Sequence, residues 1–260
     1  MPAAKRTSPI LVKACLNGSR DRRDHEAIPI TSTDLAIDAR RAVQAGAAAL
    51  HVHPRGADGS ETLDPGVCAA AIRETRAACP GIPLGLSTGL WIEGDPARRL
   101  SRLAAWAPLP DFVSVNFSEP GVLELCEVLI ARGIGIEAGV WSVADARSFV
   151  ESGLPDRCLR ILIEPQEQDP GTALTTAAAI DEVLDRHGIR LPRVLHGEGL
   201  PAWPVLEAAL ERGHDIRIGF EDTLVLPDGG RPRHNGDLVA AAVRLVRRHG
   251  HRPLSGSPPA

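Results

Sequence analysis

The amino-acid sequence predicts a single (β/α)8 barrel, the TIM-barrel form of the α/β class. Three observations support this: eight short apolar runs, an amphipathic stretch after each run, and a length of 260 residues, which suits one large barrel domain. Strands of a parallel sheet are short and apolar because both faces are covered. A doubly wound open sheet is the alternative that the same alternation allows.

The predicted elements alternate along the whole chain. The strands are Ile10–Leu16, Ala49–His53, Leu84–Ser87, Phe112–Phe117, Ile134–Val140, Leu159–Glu164, Arg193–His196 and Ile216–Phe220. The helices are Thr33–Ala45, Pro65–Ala78, Pro96–Trp106, Val122–Arg132, Val143–Glu151, Ala173–Arg186, Trp203–Arg212 and Gly236–Arg248. No linker divides the chain, so residues 1–260 are expected to form one domain, with 253–260 as a flexible tail rich in Pro, Ser and Gly.

Composition narrows the class of function. A net charge of −4 argues against a nucleic-acid partner, and a hydrophobic content of 43% is enough for a large core. The five cysteines are odd in number and contain no C-x-x-C pair, which argues against disulfides and a cysteine zinc site. Because no apolar run is long enough for a membrane span and no secretory signal is visible, we expect a cytoplasmic protein.

Polar residues are concentrated where the predicted strands end. They are Asn17, His51, His53, Ser87, Thr88, Asn116, Ser118, Glu137, Glu164, His196, Glu198, Glu221 and Asp222. TIM-barrel active sites lie at the carboxyl ends of the strands, so these side chains are expected to share one mouth. Acidic residues on the predicted helices, such as Asp38, are expected to be solvated.

The strongest local pattern indicates a metal site. His51 and His53 are two residues apart on a strand, so their side chains point to the same side. Glu221, at the end of the eighth strand, would complete a set of two histidines and a carboxylate, as in catalytic zinc sites. His196 and Glu198 also share one side of their strand, and spacing alone leaves them as an alternative pair.

Two further residues on or just after the eighth strand are candidates. Arg217 has the same parity as Glu221, so it points into the barrel, where it either holds a carboxylate or stabilises an anionic oxygen. Asp222 has the opposite parity but stands where the chain turns. It is therefore either a general base at the mouth or the cap of the following turn.

Several motifs together resemble one enzyme family. They are Ala14-Cys15-Leu16-Asn17-Gly18, Leu50-His51-Val52-His53-Pro54-Arg55, Asp58-Gly59, Ser87-Thr88-Gly89, Ser114-Val115-Asn116-Phe117 and Ile216-Arg217-Ile218-Gly219-Phe220-Glu221-Asp222. From Val12 to about residue 250, the chain resembles the β-keto acid cleavage enzymes, the family that includes 3-keto-5-aminohexanoate cleavage enzyme. The combination of H-x-H-x-R with R-x-G-x-E-D is the specific part of this resemblance.

The resemblance implies a zinc-dependent, homo-oligomeric barrel, a dimer or a tetramer. It implies that a β-keto acid reacts with acetyl-CoA to give acetoacetate and a new acyl-CoA. By the same resemblance, His51, His53 and Glu221 bind the metal, Asp222 is the base, Arg217 stabilises the reacting oxygen and Ser87 assists the base. Substrate contacts are expected from Glu137, Asn116, Thr88 and Gly89.

The resemblance has departures. The family often carries two alternating glutamates on strand five, and here Gly139 takes the second position. The loop after strand one carries Arg20 where the amino-substrate relative has an acidic residue, so Arg20 is a candidate for binding the substrate tail. A solvated loop arginine, or one that meets CoA phosphates, is the alternative.

Two other functions fit parts of the pattern. A metal-dependent hydrolase also carries H-x-H, but there the pair lies on the first strand, and here the strand Ile10–Leu16 precedes it. A β-keto acid cleavage enzyme requires CoA for turnover and a hydrolase does not, so this requirement distinguishes the two. A catalytically silent metal-binding barrel is the non-enzyme alternative, and the presence of Arg217, Asp222 and Ser87 argues against it.

Overall fold

Eight parallel strands close into a barrel in chain order, each paired with the next and β8 with β1. The computed structural model describes residues 9–255. The strands are β1 Val12–Cys15, β2 Ala49–Val52, β3 Leu84–Ser87, β4 Phe112–Asn116, β5 Gly135–Val140, β6 Arg160–Ile163, β7 Arg193–Leu195 and β8 Asp215–Ile218. Closure confirms the predicted TIM barrel and excludes the open sheet.

Helices cover the outside of the barrel. They are α1 Ser32–Gln44, α2 Pro65–Ala78, α3 Leu90–Glu93, α4 Pro96–Ala104, α5 Val122–Ala131, α6 Val143–Glu151, α7 Pro170–Arg186, α8 Ala202–Glu211 and α9 Asn235–Arg248. Aspartates directly before a first-turn proline cap three of them, because each accepts backbone N–H groups that the helix leaves free: Asp64, Asp95 and Asp169. The one-turn helix α3 was not among the predicted elements.

Alternation along the strands divides the buried residues into two sets. Outward side chains such as Val12, Leu50 and Ile218 pack against the helices in the main core. Inward side chains at the amino-terminal end form a small separate cluster of Leu11, Ala48, Ala49, Phe112, Leu162 and Val194. The barrel interior above that plug is polar, so the fold itself reserves its carboxyl-terminal half for charged groups.

A buried ion triad occupies the middle of the barrel and corrects one expectation. Glu137 is fully buried and accepts hydrogen bonds from Lys13 Nζ at 2.5 Å and from Arg160 Nε at 2.6 Å. Arg160 also lies over the Phe112 ring, 4.8 Å from its centroid. Glu137 is the third residue of β5 rather than its last, so it lies below the mouth. The expectation that it lines the pocket is therefore wrong.

The expectation for Asp38 is wrong, because this helical carboxylate is buried rather than solvated. Its Oδ2 accepts a hydrogen bond from Asn235 Nδ2 at 2.5 Å. Asn235 also donates to the Leu16 carbonyl at 2.8 Å and accepts from Phe220 N at 2.7 Å. Asn235, held by Asp38, therefore connects the segments that follow β1 and β8.

The remaining composition-based expectations concern cysteines, membranes and the tail. All five cysteines lie within the described residues and are buried and unpaired. None of the helices in residues 9–255 is long and apolar enough to cross a membrane. Of the expected flexible tail, Pro253 forms a parallel bridge with Ile10, and residues 256–260 lie outside the described residues.

Replacing Glu137 by Gln should destabilise the fold by about 3–5 kcal/mol, because two buried cations would lose their charged partner. Burial would raise the pKa of Glu137, but Lys13 and Arg160 lower it from 4.5 to about 2. This stability is therefore present above pH 4.5 and is lost as the pH falls towards 2. Urea unfolding of both proteins at several pH values measures the effect.

The matched control is Glu127→Gln, which removes an exposed carboxylate paired with Arg157. It should change the free energy of unfolding by less than about 1 kcal/mol. Equal stability of the Glu137→Gln protein and the wild type would contradict a structural role for this carboxylate.

Candidate active site

A tight turn after β8 brings two adjacent carboxylates to the mouth of the barrel. The strand ends at Ile218, and the backbone N–H groups of Asp222 and Thr223 both donate to the Gly219 carbonyl. Gly219 is required there, because a Cβ would lie 1.8 Å from the Cys15 carbonyl oxygen of β1. Adjacent residues on a strand point to opposite faces, so only this turn lets Glu221 and Asp222 face the same cavity.

The loop after β1 is fastened against the same carboxylates. Asn17 binds the backbone of His53 with both amide atoms, accepting from N at 2.9 Å and donating to O at 2.8 Å. Arg55 donates to the carbonyls of Gly18 and Arg20 at 2.5 and 2.7 Å. Gly18 has a φ of +56° and lies so close to Glu221 that a Cβ would meet its Cγ at 2.4 Å.

His51, His53 and Glu221 converge as the sequence predicted, and their donor atoms all lie within 4.8 Å of one another. The two Nε2 atoms are 3.1 Å apart, His53 Nε2 is 3.4 Å from Glu221 Oε1, and His51 Nε2 is 3.9 Å from Glu221 Oε2. A tetrahedral zinc with bonds of about 2.0–2.1 Å requires donor separations of about 3.3 Å. The three side chains therefore fit one metal ion with little movement.

The protonation of this cluster fits the same interpretation. Burial lowers the pKa of His51 well below its usual value. Burial also opposes a charge on His53, but Glu221 and Glu61 outweigh it and raise the pKa of His53 to about 9. Glu221 Oε2 is buried and has no hydrogen-bond partner among residues 9–255. A divalent cation between these donors would replace the His53 proton and satisfy that oxygen.

A carboxylate that sequence reasoning missed supports His53 from behind. Glu61 Oε1 lies 2.5 Å from His53 Nδ1, and its Oε2 accepts from Trp91 Nε1 at 3.1 Å. Such a partner fixes the tautomer in which the other ring nitrogen faces a metal. The sequence signal was weak, because Glu61 lies on an irregular segment before α2, with only an isolated bridge to Arg55.

Arg217 joins the metal cluster to Asp222. It donates to Glu221 Oε1 at 2.6 Å and to Asp222 Oδ1 at 2.9 and 3.0 Å from two of its nitrogens. Burial alone would lower the pKa of Arg217, but Asp222 and Glu221 hold it well above its usual value. Asp222 Oδ2 is buried and has no hydrogen-bond partner within the described part of the chain. One oxygen of this carboxylate is thus fixed and the other is free to accept a proton.

A cavity of about 310 Å³ at the carboxyl ends of the strands is lined by His53, Arg217, Glu221 and Asp222. Its other walls include Ser87, Asn116, Trp91 and Trp141. A larger cavity of about 790 Å³ lies at the opposite end of the barrel. There Arg193 and Asp181 pair with each other at 2.8 Å, so their charges are already neutralised. The smaller cavity is the better candidate because its charged groups converge on empty space.

Of the other residues expected to contact the substrate, some line the cavity and others do not. Ser87 and Asn116 line the cavity, and Ser87 Oγ accepts from Gly89 N at 3.3 Å. Thr88 donates from its hydroxyl to the Ser114 carbonyl at 2.6 Å, so it supports β4 rather than facing the cavity. Arg20 lies at the rim, where it pairs with Glu198 at 3.2 Å.

His196 and Glu198, the alternative metal pair, lie apart from the His–His–Glu cluster. His196 is buried between two carboxylates, with Nδ1 3.0 Å from Asp222 Oδ1 and Nε2 3.1 Å from Glu164 Oε2. Both contacts are short but poorly aligned as hydrogen bonds, so the attraction is mainly electrostatic. The Glu198 side chain is 52% exposed beside Arg20.

The fold and the cluster together define the class: a TIM-barrel protein with a potential metal site at the face where such barrels carry out catalysis. A sequence profile described as beta-keto acid cleavage enzyme matches residues 9–257. The chain therefore belongs to the β-keto acid cleavage enzyme family and is an enzyme, as the motifs predicted.

Two relatives illustrate the range within this similarity. The chain is 33% identical to a 3-oxoadipate:acetyl-CoA acetyltransferase of Cupriavidus necator, over 96% of this chain and 92% of that protein. It is 26% identical to a 3-keto-5-aminohexanoate cleavage enzyme of Fusobacterium nucleatum, over 93% and 92% of the two chains.

Solved structures support the fold. ObcA in complex with oxaloacetate superimposes with a TM-score of 0.72 at 18% identity, and the match covers 88% of this chain but 66% of that one. The chain thus spans about two thirds of the length of ObcA. The 3-dehydroquinate dehydratase of Aquifex aeolicus gives a TM-score of 0.59 at 13% identity, with 92% and 100% covered.

Replacing Glu61 by Gln should weaken zinc binding about 10- to 100-fold, because His53 would lose the carboxylate that orients it. His51→Ala and Glu221→Ala, which each remove a donor, should abolish stoichiometric metal. Competition with a chromophoric chelator measures affinity, and elemental analysis measures content.

Glu74→Gln is the control, since this carboxylate accepts only from Ser32 and Thr33 on α1 among the described residues. Full zinc occupancy in the double variant His51→Ala/His53→Ala would contradict the assignment of the cluster.

Proposed function

We propose that this enzyme transfers the acyl part of a β-keto acid to CoA: it consumes acetyl-CoA and releases acetoacetate and a new acyl-CoA. Family membership supports the reaction class. The observation that carries the proposal is Asp222, which lines the same cavity as His53 and Glu221 and whose Oδ2 has no hydrogen-bond partner within residues 9–255. A base beside a cation site is what proton removal next to a carbonyl requires.

We propose zinc as the metal and His51, His53 and Glu221 as its ligands. A bound zinc would act as a Lewis acid that lowers the cost of negative charge on the substrate's keto oxygen. Arg217 contributes a second positive charge beside the same carboxylates and is available to a reacting oxygen. A homo-oligomer and a cytoplasmic location stay predictions.

Asp222 begins the reaction by taking a proton from the carbon between the substrate's carboxylate and keto groups. The carbanion attacks the thioester carbon of acetyl-CoA, the C–S bond breaks, and CoA leaves as a thiolate. The thiolate attacks the keto carbon, and the bond between that carbon and the α-carbon breaks. The α-carbon recovers the proton from Asp222, which yields acetoacetate and the new acyl-CoA.

Ser87 and Trp141 are suited to orient the substrate. The Ser87 oxygen accepts from Gly89 N, so its own O–H proton is available to the cavity. Trp141 Nε1 is buried, and nothing in residues 9–255 accepts its hydrogen bond. Both are donors on the wall of a cavity that receives an anionic substrate.

The assay that tests the reaction incubates purified, zinc-loaded protein with acetyl-CoA and three β-keto acids of equal chain length. They are 3-oxoadipate with an anionic tail, 3-oxohexanoate with a neutral tail and 3-keto-5-aminohexanoate with a cationic tail. Acetoacetate and the new acyl-CoA should form in equal amounts. Turnover without CoA would favour a hydrolase, and no turnover with any of the three would leave the proposal without support.

Replacing Asp222 by Asn should reduce α-proton exchange about 100- to 10,000-fold, because an amide cannot take the proton. The amide oxygen can still accept from Arg217, so zinc content should not change. Exchange of deuterium from D2O into the substrate, followed by NMR without acetyl-CoA, isolates this step.

Asp169→Asn is the control, since asparagine also caps a helix N-terminus such as that of α7. Undiminished exchange in the Asp222→Asn protein would remove Asp222 from the role of base.

We propose that Arg20 selects the tail of the substrate. It lies at the rim, its side chain is 24% exposed, and its Nε donates to the Glu221 carbonyl at 3.4 Å. The carboxylate of Glu198 pairs with Arg20 and partly neutralises its charge, so the rim is less cationic than the sequence alone indicated. The relative named for 3-oxoadipate acts on a dianion and is 33% identical over 96% of this chain, which favours an anionic tail.

Wild-type protein should therefore show higher kcat/KM with 3-oxoadipate and 3-oxohexanoate than with the cationic acid. Arg20→Glu should reverse this order, because the rim would become anionic. Glu198→Gln should strengthen the preference for 3-oxoadipate by freeing Arg20. A wild-type preference for the cationic acid, or an unchanged order in Arg20→Glu with weaker acetyl-CoA binding, would contradict tail selection.

A further inference from the structure

The buried imidazole of His196 has no place in the reaction as described so far. It lies one residue beyond β7, is 1% exposed and lines the cavity. Its backbone N–H donates to the Ile163 carbonyl at 3.2 Å, which ties it to the end of β6. A buried histidine at this position requires partners for two ring nitrogens.

Both nitrogens of His196 face carboxylates. Nδ1 lies 3.0 Å from Asp222 Oδ1, and Nε2 lies 3.1 Å from Glu164 Oε2. An imidazolium attracts both carboxylates through its charge and carries an N–H on each side, whereas a neutral ring carries only one proton. Burial and Arg217 oppose this charge, but Glu164 and Asp222 raise the pKa of His196 above its usual value.

The contacts leave the two oxygens of Asp222 in different states. Oδ1 receives two nitrogens of Arg217 and faces His196, while Oδ2 is buried with no hydrogen-bond partner inside residues 9–255. Arg217 approaches from β8 and His196 from β7, so the carboxylate is held from two directions. Its main chain is fixed as well, since Gly199 N donates to the Asp222 carbonyl at 2.7 Å.

We propose that His196, itself held by Glu164, is a positioning residue that fixes Asp222 through Oδ1 and so directs Oδ2 at the substrate's α-carbon. This proposal rests on the proposed function. His196 acts through Asp222 and does not exchange the substrate proton. Displacement of a reacting group by about 1 Å can cost about 100-fold in rate, which is the scale of effect that positioning controls.

Two substitutions of His196 test the contributions of its two ring nitrogens separately. The amide nitrogen of asparagine can occupy the place of Nδ1 and keep a donor towards Asp222. The amide nitrogen of glutamine reaches the place of Nε2 and keeps a donor towards Glu164 only. We expect His196→Gln to lower α-proton exchange about 10- to 100-fold and His196→Asn to lower it less than about fivefold.

The experiment measures deuterium exchange into 3-oxoadipate by zinc-loaded protein without acetyl-CoA, corrected for spontaneous exchange. KM for 3-oxoadipate and zinc content should stay within about twofold in both variants, because in this proposal His196 acts through Asp222 and is not a metal ligand. His214→Gln is the matched control: His214 pairs with Asp181 at 3.1 Å at the opposite end of the barrel. It should leave exchange unchanged.

Equal losses in His196→Gln and His196→Asn, or exchange within threefold of wild type in His196→Gln, would overturn the proposal. If the His196 variants do not fold, Glu164→Gln replaces them, and exchange should fall at least threefold; unchanged exchange overturns the proposal. Wild-type protein that neither exchanges the α-proton nor forms an acyl-CoA would instead refute the proposed function, and with it this role.

Discussion

The guanidinium of Arg217 is the interaction on which the rest of the site depends. Glu221 and Asp222 are adjacent in sequence and face the same cavity, so their negative charges would repel each other strongly without a buried cation between them. Arg217 bonds to both, at 2.6 Å to Glu221 Oε1 and at 2.9 Å to Asp222 Oδ1. The carboxylates can therefore have separate roles, one towards a metal and one towards a proton.

Sequence periodicity was enough to predict the barrel and the main cluster. Both depend on local rules: buried parallel strands are continuous apolar runs, and residues two apart on a strand share a side. That is why His51 and His53 were expected together and why Arg217 was expected inside the barrel. Strand alternation alone could not predict the orientation of Asp222, because the strand ends at Ile218 and the turn at Gly219 reorients the residues that follow.

The wrong or incomplete predictions have a common cause: contacts between residues far apart in the sequence cannot be inferred from local sequence patterns. Glu137 was expected to line the pocket because of the family resemblance, but Lys13 and Arg160 from two other strands neutralise it inside the barrel. Asp38 looked solvated because helical aspartates usually are, yet Asn235 binds it 197 residues away. Glu164 was predicted at a strand end, but its partner could not be read from spacing.

The rim and the metal cluster are mechanically connected, which limits how specificity can vary in this enzyme. Arg20 donates to the main-chain carbonyl of Glu221, and Arg55 holds the carbonyl of Arg20 at 2.7 Å. Gly18, in the same loop, packs against the Glu221 side chain. A longer or bulkier first loop would therefore displace a proposed metal ligand. Exchanging the side chain of Arg20 removes only its own hydrogen bond of 3.4 Å and leaves the Arg55 bond and the Gly18 packing in place. Charge, rather than loop length, is the property of the rim that can change at little cost to the cluster.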